Sequence, residues 1–365
     1  MRTVIQVTPH YPPFLGGLER VVEILARGLA ADNEVRVLST TVGARGAAHR
    51  ATQDGVAVRR HRALSVAHTA IAPGLVSSLL RLPRGSVVHL HSSQMLTPEL
   101  VRLCCRLRRL PYFVHFHMEV DASGRLGALV LPAYKALVLS RVLRAATGVI
   151  TLTEDQAGFV RTVYRVEPGR ISVIPNGVAP EFFLPERPPR PGELRLLFVG
   201  RLGAQKNLGR LLEALSLCEE PVRLRIVGDG ELRPQLEAQA VRLGVADRVE
   251  FRGRRSGAEL VEEYAHAQAF VLSSDREGMA LAAMEAMAAA LPVVATAVPG
   301  NRELLDGVGL LAEPEPRALA AAVDQLARDR ALRSELAARS VERARGYTWA
   351  ATVAAVEAAY RKAGV

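Results

Sequence analysis

Residues 194–217, LRLLFVGRLGAQKNLGRLLEALSL, decide the fold. Leu194–Val199 is a short run, apolar apart from Arg195, that Gly200 closes. The polar loop Arg201–Asn207 follows, and Leu208–Leu217 then carries apolar residues at helical spacing. Strand, glycine-bearing loop and helix in that order make one unit of a parallel sheet covered by helices. Toward the C-terminus the unit recurs. Val222–Val227 reads as a strand closed by Gly228-Asp229-Gly230, Leu232–Leu243 as a helix, and Val249–Phe251, Ala269–Leu272 and Pro292–Ala295 as further strands, with a helix at Ala280–Ala289.

Toward the N-terminus the same alternation appears. Thr3–Thr8 predicts a strand, a Pro/Gly-rich loop follows, and Leu18–Ala31 predicts a helix. Val35–Ser39, Val87–Leu90, Tyr112–Phe116 and Gly148–Leu152 suit further strands. After Val173–Ile174 the composition shifts at PNGVAPEFFLPERPPRPGE, with five prolines from Pro180 to Pro191. Helix cannot run through that density of proline, so the linker is expected there. The expectation is an α/β chain of two Rossmann-like, doubly wound domains facing across a cleft. The first spans residues 1–175 and the second residues 176–345; residues 346–365, with the sole tryptophan in the helix Trp349–Arg361, are expected to cross back to the first.

At 365 residues, 49% hydrophobic and 23% charged, the chain is neither disordered nor collagen-like, and its length suits two domains with separate cores. The formal charge of +10 is unevenly spread. Residues 1–175 hold 22 Lys and Arg against 11 Asp and Glu, whereas residues 176–365 are close to neutral. The basic half points to an anionic partner. Cys104, Cys105 and Cys218 form no C-x-x-C pair, which fits a reducing cytoplasm. Pro9 and Pro12-Pro13 interrupt the N-terminus before any signal-peptide length is reached, and Leu126–Leu143 contains Pro132, Lys135 and Arg141, so neither reads as a targeting or membrane-spanning segment.

Four constellations could carry chemistry. Gly16-Gly17, between the first strand and helix, lets backbone approach a ligand and presents a helix N-terminus to negative charge, although an isolated pair is most simply a tight turn and no G-x-G-x-x-G is present. Arg201 and Lys206 follow a strand, where they either aim two cations at a diphosphate or form a solvated basic loop. In SSDREGMALAAMEAM (Ser273–Met287), Glu277 lies in a loop and Glu285 eight residues on in a helix. The two can reach distant hydroxyls of one ligand, and the amides of Met279, Ala280 and Leu281, after Gly278, crown that helix. Met284, Ala286, Met287 and Ala288 make the helix around Glu285 apolar, and a ligand is the more economical partner for a carboxylate there. Finally, His115 and His117 share one face of a strand end. As metal ligands they would need Glu119 or Asp121; a polar strand end facing the cleft, with His117 nearer a substrate, is the preferred reading.

In this order the residues closely resemble the retaining family-4 glycosyltransferases of the GT-B fold, over nearly the whole chain. The resemblance rests on Gly16-Gly17-Leu18-Glu19, Ile174-Pro175-Asn176-Gly177-Val178, Gly200-Arg201, Lys206-Asn207, Val227-Gly228-Asp229-Gly230, the Glu277-to-Glu285 spacing, Pro292–Thr296 and Tyr347-Thr348-Trp349. It implies that Arg201 and Lys206 hold a donor pyrophosphate, Glu285 accepts from the nucleoside ribose, and Glu277 with Gly278 and the Met279–Leu281 amides holds the transferred sugar. It implies further that His117 contacts that sugar, Gly16 and Gly17 approach the phosphates and acceptor, and Gly253–Arg255, with Arg254, faces the base. It implies retention without a metal or other cofactor, in keeping with the lack of an Asp-x-Asp sequence. Ala280 and Ala290 stand where the family often has glycine, and Pro299-Gly300-Asn301 replaces its usual double-glycine turn.

The expected activity is transfer of a hexose from a nucleoside diphosphate sugar, UDP-linked, to an acceptor hydroxyl. The acceptor is a glycan, a lipid-linked glycan or a small molecule such as a soluble natural product. Arg102, Arg106, Arg108 and Arg109 among apolar residues make either a surface for peripheral contact with the inner, anionic face of a membrane or a solvated helix face. The alternative function is a non-catalytic module binding sugar nucleotide or nucleic acid. Only 5% of residues are aromatic and no basic run is interleaved with stacking residues, so no nucleic acid partner is expected. An epimerase or phosphorylase on the same fold is a minor alternative.

Overall fold

The computed structural model describes residues 1–14, 16–44, 46–66, 69–92, 95–118, 131–185 and 192–365. Glu119 and Asp121, weighed above as metal ligands, and Pro188, Pro189 and Pro191 of the proline-rich stretch lie outside the described residues. The chain divides into two units, the first made of Met1–Asn176 with Trp349–Val365 and the second of Gly177–Thr348.

Unit 1 contains strands β1 (Thr3–Val7), β2 (Glu34–Thr40), β3 (Arg50–Gln53), β4 (Val56–His61), β5 (Leu64–Val66), β6 (Thr69–Ile71), β7 (Val87–Ser92), β8 (Tyr112–Phe116), β9 (Gly148–Thr151) and β10 (Ile171–Val173). Eight form one sheet in the order β10-β9-β8-β7-β1-β2-β4-β3. All neighbours are parallel except β3 against β4. Val4 is in register with Val35 on one side and Val87 on the other, so strand order reverses at β1. The loops after β1 and β7 therefore diverge at the carboxyl edge, where open α/β sheets bind ligands. The helix Gly17–Leu29 buries Val21, Val22, Leu25, Ala26 and Leu29, one apolar stripe at helical spacing. Strands β3 to β6 and β10 are additions to the sequence reading. β3 is a largely exposed antiparallel edge, and β5 pairs only with β6, so neither has the buried apolar run that marks the central strands.

One face of unit 1 has a polar core. His89 and His91 of β7 and His115 of β8 are buried there with Gln6 of β1, and His117 follows β8, half-buried. The helix Trp349–Lys362 belongs to this unit. Its Tyr360 hydroxyl lies 2.5 Å from His89 Nδ1, its Glu357 accepts from Asn33 Nδ2 at 2.9 Å, and its Thr352 hydroxyl donates to the Pro175 carbonyl at 2.9 Å.

Unit 2 is an all-parallel sheet of β11 (Leu194–Val199), β12 (Val222–Val227), β13 (Val249–Gly253), β14 (Ala269–Leu272), β15 (Val293–Thr296) and β16 (Leu310–Ala312), in the order β13-β12-β11-β14-β15-β16. Its order reverses at β11, the strand of the opening stretch. The proline-rich stretch is not wholly free-running chain: Pro180–Phe182 is a 3-10 turn whose Phe182 is buried edge-on against Tyr264. Among the described residues no helix is long and apolar enough to cross a membrane.

Two consequences for stability follow. Ala290 has φ of +56°, a left-handed conformation that crowds Cβ against the backbone. Ala290→Gly should therefore raise stability by about 0.5–1 kcal/mol, the relief of strain exceeding the added chain entropy; an unchanged or lower urea midpoint would contradict this. In the polar core, burial holds His89 down at about 3 and pushes His91 and His115 well below the usual imidazole value. These rings stay neutral in the fold, whereas the unfolded chain protonates them below about pH 6.5. Their contribution is complete above that pH and is lost as pH falls, at up to about 1.4 kcal/mol per pH unit per ring. Urea unfolding at pH 6.5 and 5.0, above the carboxylate range, should show a clear loss, and a flat profile would contradict neutral burial.

Candidate functional site

The parallel strands of unit 2 deliver Arg201 and Lys206 after β11, Arg254 after β13 and Glu277 after β14 to one edge. Lys206 owes its position to the turn that contains it. Ala204–Lys206 is a 3-10 turn ended by Asn207, whose φ of 43° is left-handed and whose Oδ1 caps the helix Leu208–Leu217 by accepting from the Arg210 amide at 3.3 Å. Asparagine tolerates that conformation better than most residues. The Ser273 hydroxyl donates to the Lys206 carbonyl at 2.9 Å, and Arg210 Nη1 donates to the Ser273 carbonyl at 2.9 Å. Asn207 and Arg210 also reach the Asp275 carboxylate. The loop after β11 is thereby tied to the loop after β14 through backbone as well as side chains.

Across that tie, Lys206 Nζ lies 2.6 Å from Glu277 Oε1. The Glu277 side chain is only 6% exposed and that of Lys206 22%, so water screens the pair poorly. The Ser274 hydroxyl donates to the same Glu277 oxygen at 2.5 Å, and the Ser274 carbonyl accepts from Thr296 at 2.6 Å. Behind the loop, a side chain at Gly300 would collide with the carbonyls of Glu277 and Gly278. Gly300 lets the helix Pro299–Leu305 seat directly beneath them, the physical role of the glycine in this Pro299-Gly300-Asn301 turn.

Met279 and Ala280 are buried, and the next helix starts at Leu281 with Ala280 as an N-cap that offers no side-chain cap. The first-turn amides thus lack a local side-chain acceptor, which suits an anion or a hydroxyl oxygen. Glu285, on the same helix, is buried as expected. The sequence reading gave it a ligand as the more economical partner; here the Tyr264 hydroxyl, from the helix Gly257–His266, lies 2.8 Å from Glu285 Oε2. Tyr264 is 21 residues away in sequence and no local pattern announces it. Arg201 is exposed and meets Glu231 at 3.0 Å, and Arg254 is exposed beyond Gly253. Neither is drawn into the Lys206–Glu277 cluster.

In unit 1, Gly16 is the N-cap of the helix Gly17–Leu29. Its φ of −167° is extended backbone, so the tight-turn reading with positive φ does not hold at this residue. A side chain at Gly16 would strike the Glu19 carboxylate, which occupies the space beside the helix start where the sequence suggested incoming negative charge. His115 and His117 do share a face, and β7 adds His89 and His91 beside them, in the parallel alternation His89-Leu90-His91 that an equal reading of the two strands would have flagged. His89, His91 and His115 each place one possible ligand nitrogen within 4.8 Å of the others, a set that could hold a metal ion. Those rings are already engaged. His89 Nε2 lies 3.2 Å from His115 Nδ1, His91 Nδ1 2.8 Å from His117 Nε2, and His91 Nε2 2.6 Å from Gln6 Oε1. Among the described residues the set includes no carboxylate to balance a cation, and hydrogen bonding accounts for it more economically.

Comparison with known proteins places this chain in a family. Residues 181–346 match the model of glycosyl transferases group 1, and residues 16–177 that of a glycosyl transferase 4-like domain. A D-inositol 3-phosphate glycosyltransferase of Frankia alni is 33% identical, covering 95% of each chain, and an uncharacterized glycosyltransferase of Methanocaldococcus jannaschii is 30% identical, covering 89% of each. Among solved structures, sucrose-phosphate synthase from Thermosynechococcus elongatus aligns with a TM-score of 0.80 at 21% identity, covering 99% of this chain and 98% of that one. Anabaena HepE in complex with UDP and glucose aligns at 0.78 and 18% identity, covering 99% and 100%. The chain therefore belongs to the family-4 glycosyltransferases and has their GT-B fold.

Proposed function

We propose that the protein moves a hexose from a nucleoside diphosphate sugar, UDP-linked, to an acceptor hydroxyl, with retention of configuration and without a metal ion. The observation that carries this reading is the Lys206–Glu277 pair at the carboxyl edge of unit 2, beside a helix start with no side-chain cap. An ammonium has three donors, so Lys206 can keep Glu277 and still donate to a diphosphate oxygen. Arg201 is held only by an exposed ion pair, worth about 0–1 kcal/mol, and can turn to the same anion at little cost. Both cations then meet charge that grows on the leaving diphosphate as the sugar bond breaks, where binding lowers the barrier.

The other assignments belong to the same proposal. Glu277 and the amides of Met279–Leu281 take sugar hydroxyls, Glu285 the ribose, and Arg254 the side of the base. His117 hydrogen-bonds the transferred sugar, and Gly16 and Gly17 lie on the phosphate and acceptor side. The UDP assignment draws support from HepE, described with UDP and glucose. Retention follows from positioning: a donor held by these groups can be attacked on the face its diphosphate leaves, with no covalent sugar on the enzyme.

The basic half of the chain bears on the acceptor. The Frankia relative is named for a phosphorylated polyol, which supports an anionic acceptor. The arginines of the helix Thr97–Arg108 serve another purpose. This helix runs back from the carboxyl end of β7 to the start of β8, so Arg106 and Arg109 lie toward the amino edge, away from His117. Leu103 and Leu107, one turn apart on it, are 53% and 66% exposed. Apolar residues among arginines suit peripheral contact with an anionic membrane.

With UDP-glucose and a polyol phosphate acceptor, turnover should persist in EDTA, and the product should keep the donor's anomeric configuration. Lys206→Ala should lower kcat by about two to three orders of magnitude with the circular dichroism spectrum unchanged; wild-type turnover in this variant would remove its phosphate role. The membrane reading has its own check. The protein should sediment with phosphatidylglycerol vesicles at low salt and be released as salt rises, and Arg106→Glu with Arg109→Glu should weaken the binding. Failure of the wild type to sediment at low salt would refute it.

A further inference from the structure

We infer that Gln6 and His91 are positioning residues that fix the tautomer of His117, so that His117 presents a bare Nδ1 and accepts a hydrogen bond from a hydroxyl group of the ligand. The inference rests on the proposed sugar contact of His117 and adds to it which nitrogen makes the contact and what chemistry that nitrogen recognises.

The chain of reasoning begins at Gln6 on β1, which is wholly buried. Its Oε1 can only accept, and it lies 2.6 Å from His91 Nε2. The proton of His91 is therefore on Nε2. His91 is buried and neutral, since desolvation and the neighbouring rings hold it well below the usual value. A neutral imidazole carries one proton, so His91 Nδ1 is bare. That nitrogen lies 2.8 Å from His117 Nε2, which must donate. His117 is pushed down to about 3 by burial and by His89, so it too carries one proton, and its Nδ1 is left as an acceptor. Among the described residues none hydrogen-bonds to that nitrogen, and the ring is half-buried rather than sealed.

The surroundings hold this arrangement in place. The Gln156 amide donates to the His117 carbonyl at 3.0 Å, fixing the backbone at the end of β8. The His117 ring stacks on His115 with centroids 4.1 Å apart and on His91 at 5.1 Å, which limits rotation about the ring axis. A second branch runs from Tyr360 through His89 to His115, the ring on which His117 stacks. The ligand chemistry follows from the bare nitrogen. A neutral acceptor rewards an O–H donor, such as a sugar hydroxyl, and gives nothing to a carbonyl, ether or phosphate oxygen, which can only accept.

The test is a long-range proton–nitrogen correlation spectrum of the full-length protein with 15N-labelled histidine at pH 7.5, His117 being assigned by loss of its signals in His117→Gln. Expected is one tautomer, protonated at Nε2 and bare at Nδ1, with a mixture of tautomers in Gln6→Met. Protonation at Nδ1 in the wild type would overturn the inference, as would a Gln6→Met spectrum indistinguishable from it. A metal-shifted His91 signal that EDTA abolishes would also overturn it. In parallel, Gln6→Met should reduce kcat/KM with UDP-glucose about tenfold, the loss of one well-aligned neutral hydrogen bond. Folding of Gln6→Met is checked by its amide spectrum, and His91→Phe, which keeps the stacking and removes the acceptor, provides a second variant. The spectrum needs no donor. An inactive protein with the stated tautomer would sink the proposed function alone, and an active one protonated at Nδ1 would sink this inference alone.

Discussion

The loops at the carboxyl edge of unit 2 meet at one ion pair, Lys206 with Glu277 at 2.6 Å. The two residues sit in loops that follow different strands, β11 and β14. The pair is useful because the backbone already brings the two loops together: Asp275 N donates to the Gln205 carbonyl at 2.9 Å, and Ser273 holds the Lys206 carbonyl. A largely buried lysine without a carboxylate would be costly, and so would a buried glutamate without a cation. The arrangement leaves a cation with spare donors at the edge of a sheet, next to helix amides with no side-chain cap.

Much of this was legible in the sequence because the signals were local. Ala269–Leu272 is a buried parallel strand that reads as a continuous apolar run, Leu194–Val199 is such a run broken only by Arg195, and Val222–Val227 alternates apolar residues with Arg223 and Arg225 before closing on Ile226-Val227. The loops after them carry Arg201, Lys206 and Glu277, and parallel strands deliver such loops to one edge. What escaped was not local. Tyr264 meets Glu285 from a separate helix, Glu19 fills the space at Gly16 one helical turn away, and Ser274 was read only as part of a motif. The buried histidines of β7 escaped because His115 and His117 were weighed alone; the pairing of His91 with His115 across two strands is a matter of register, which a single strand does not encode. Ala290 is a different case: the expected glycine position was identified, and its left-handed backbone explains why glycine suits it.

The placement of charge also gains physical meaning. Part of the positive excess of the first half serves the fold itself. Arg60, for example, is buried and spends its guanidinium on the carbonyls of Ala48 and Pro12, where it holds loops rather than ligands. Arg106 and Arg109 lie toward the opposite edge from His117. In the second half most arginines pair with nearby carboxylates, among them Arg225 and Arg252 around Glu250 and Glu263. Net charge thus described a surface, while the chemistry assigned to unit 2 rests on a few cations placed by strand order.

The most direct measurement compares the affinity of UDP with that of uridine, by calorimetry, in the wild type and in Lys206→Met. If the Lys206–Glu277 pair organises a diphosphate site, the wild type binds UDP much more tightly than uridine. Lys206→Met then loses most of that preference while its affinity for uridine is unchanged. An equal preference for UDP in the variant and the wild type would contradict the assignment of Lys206 to the diphosphate.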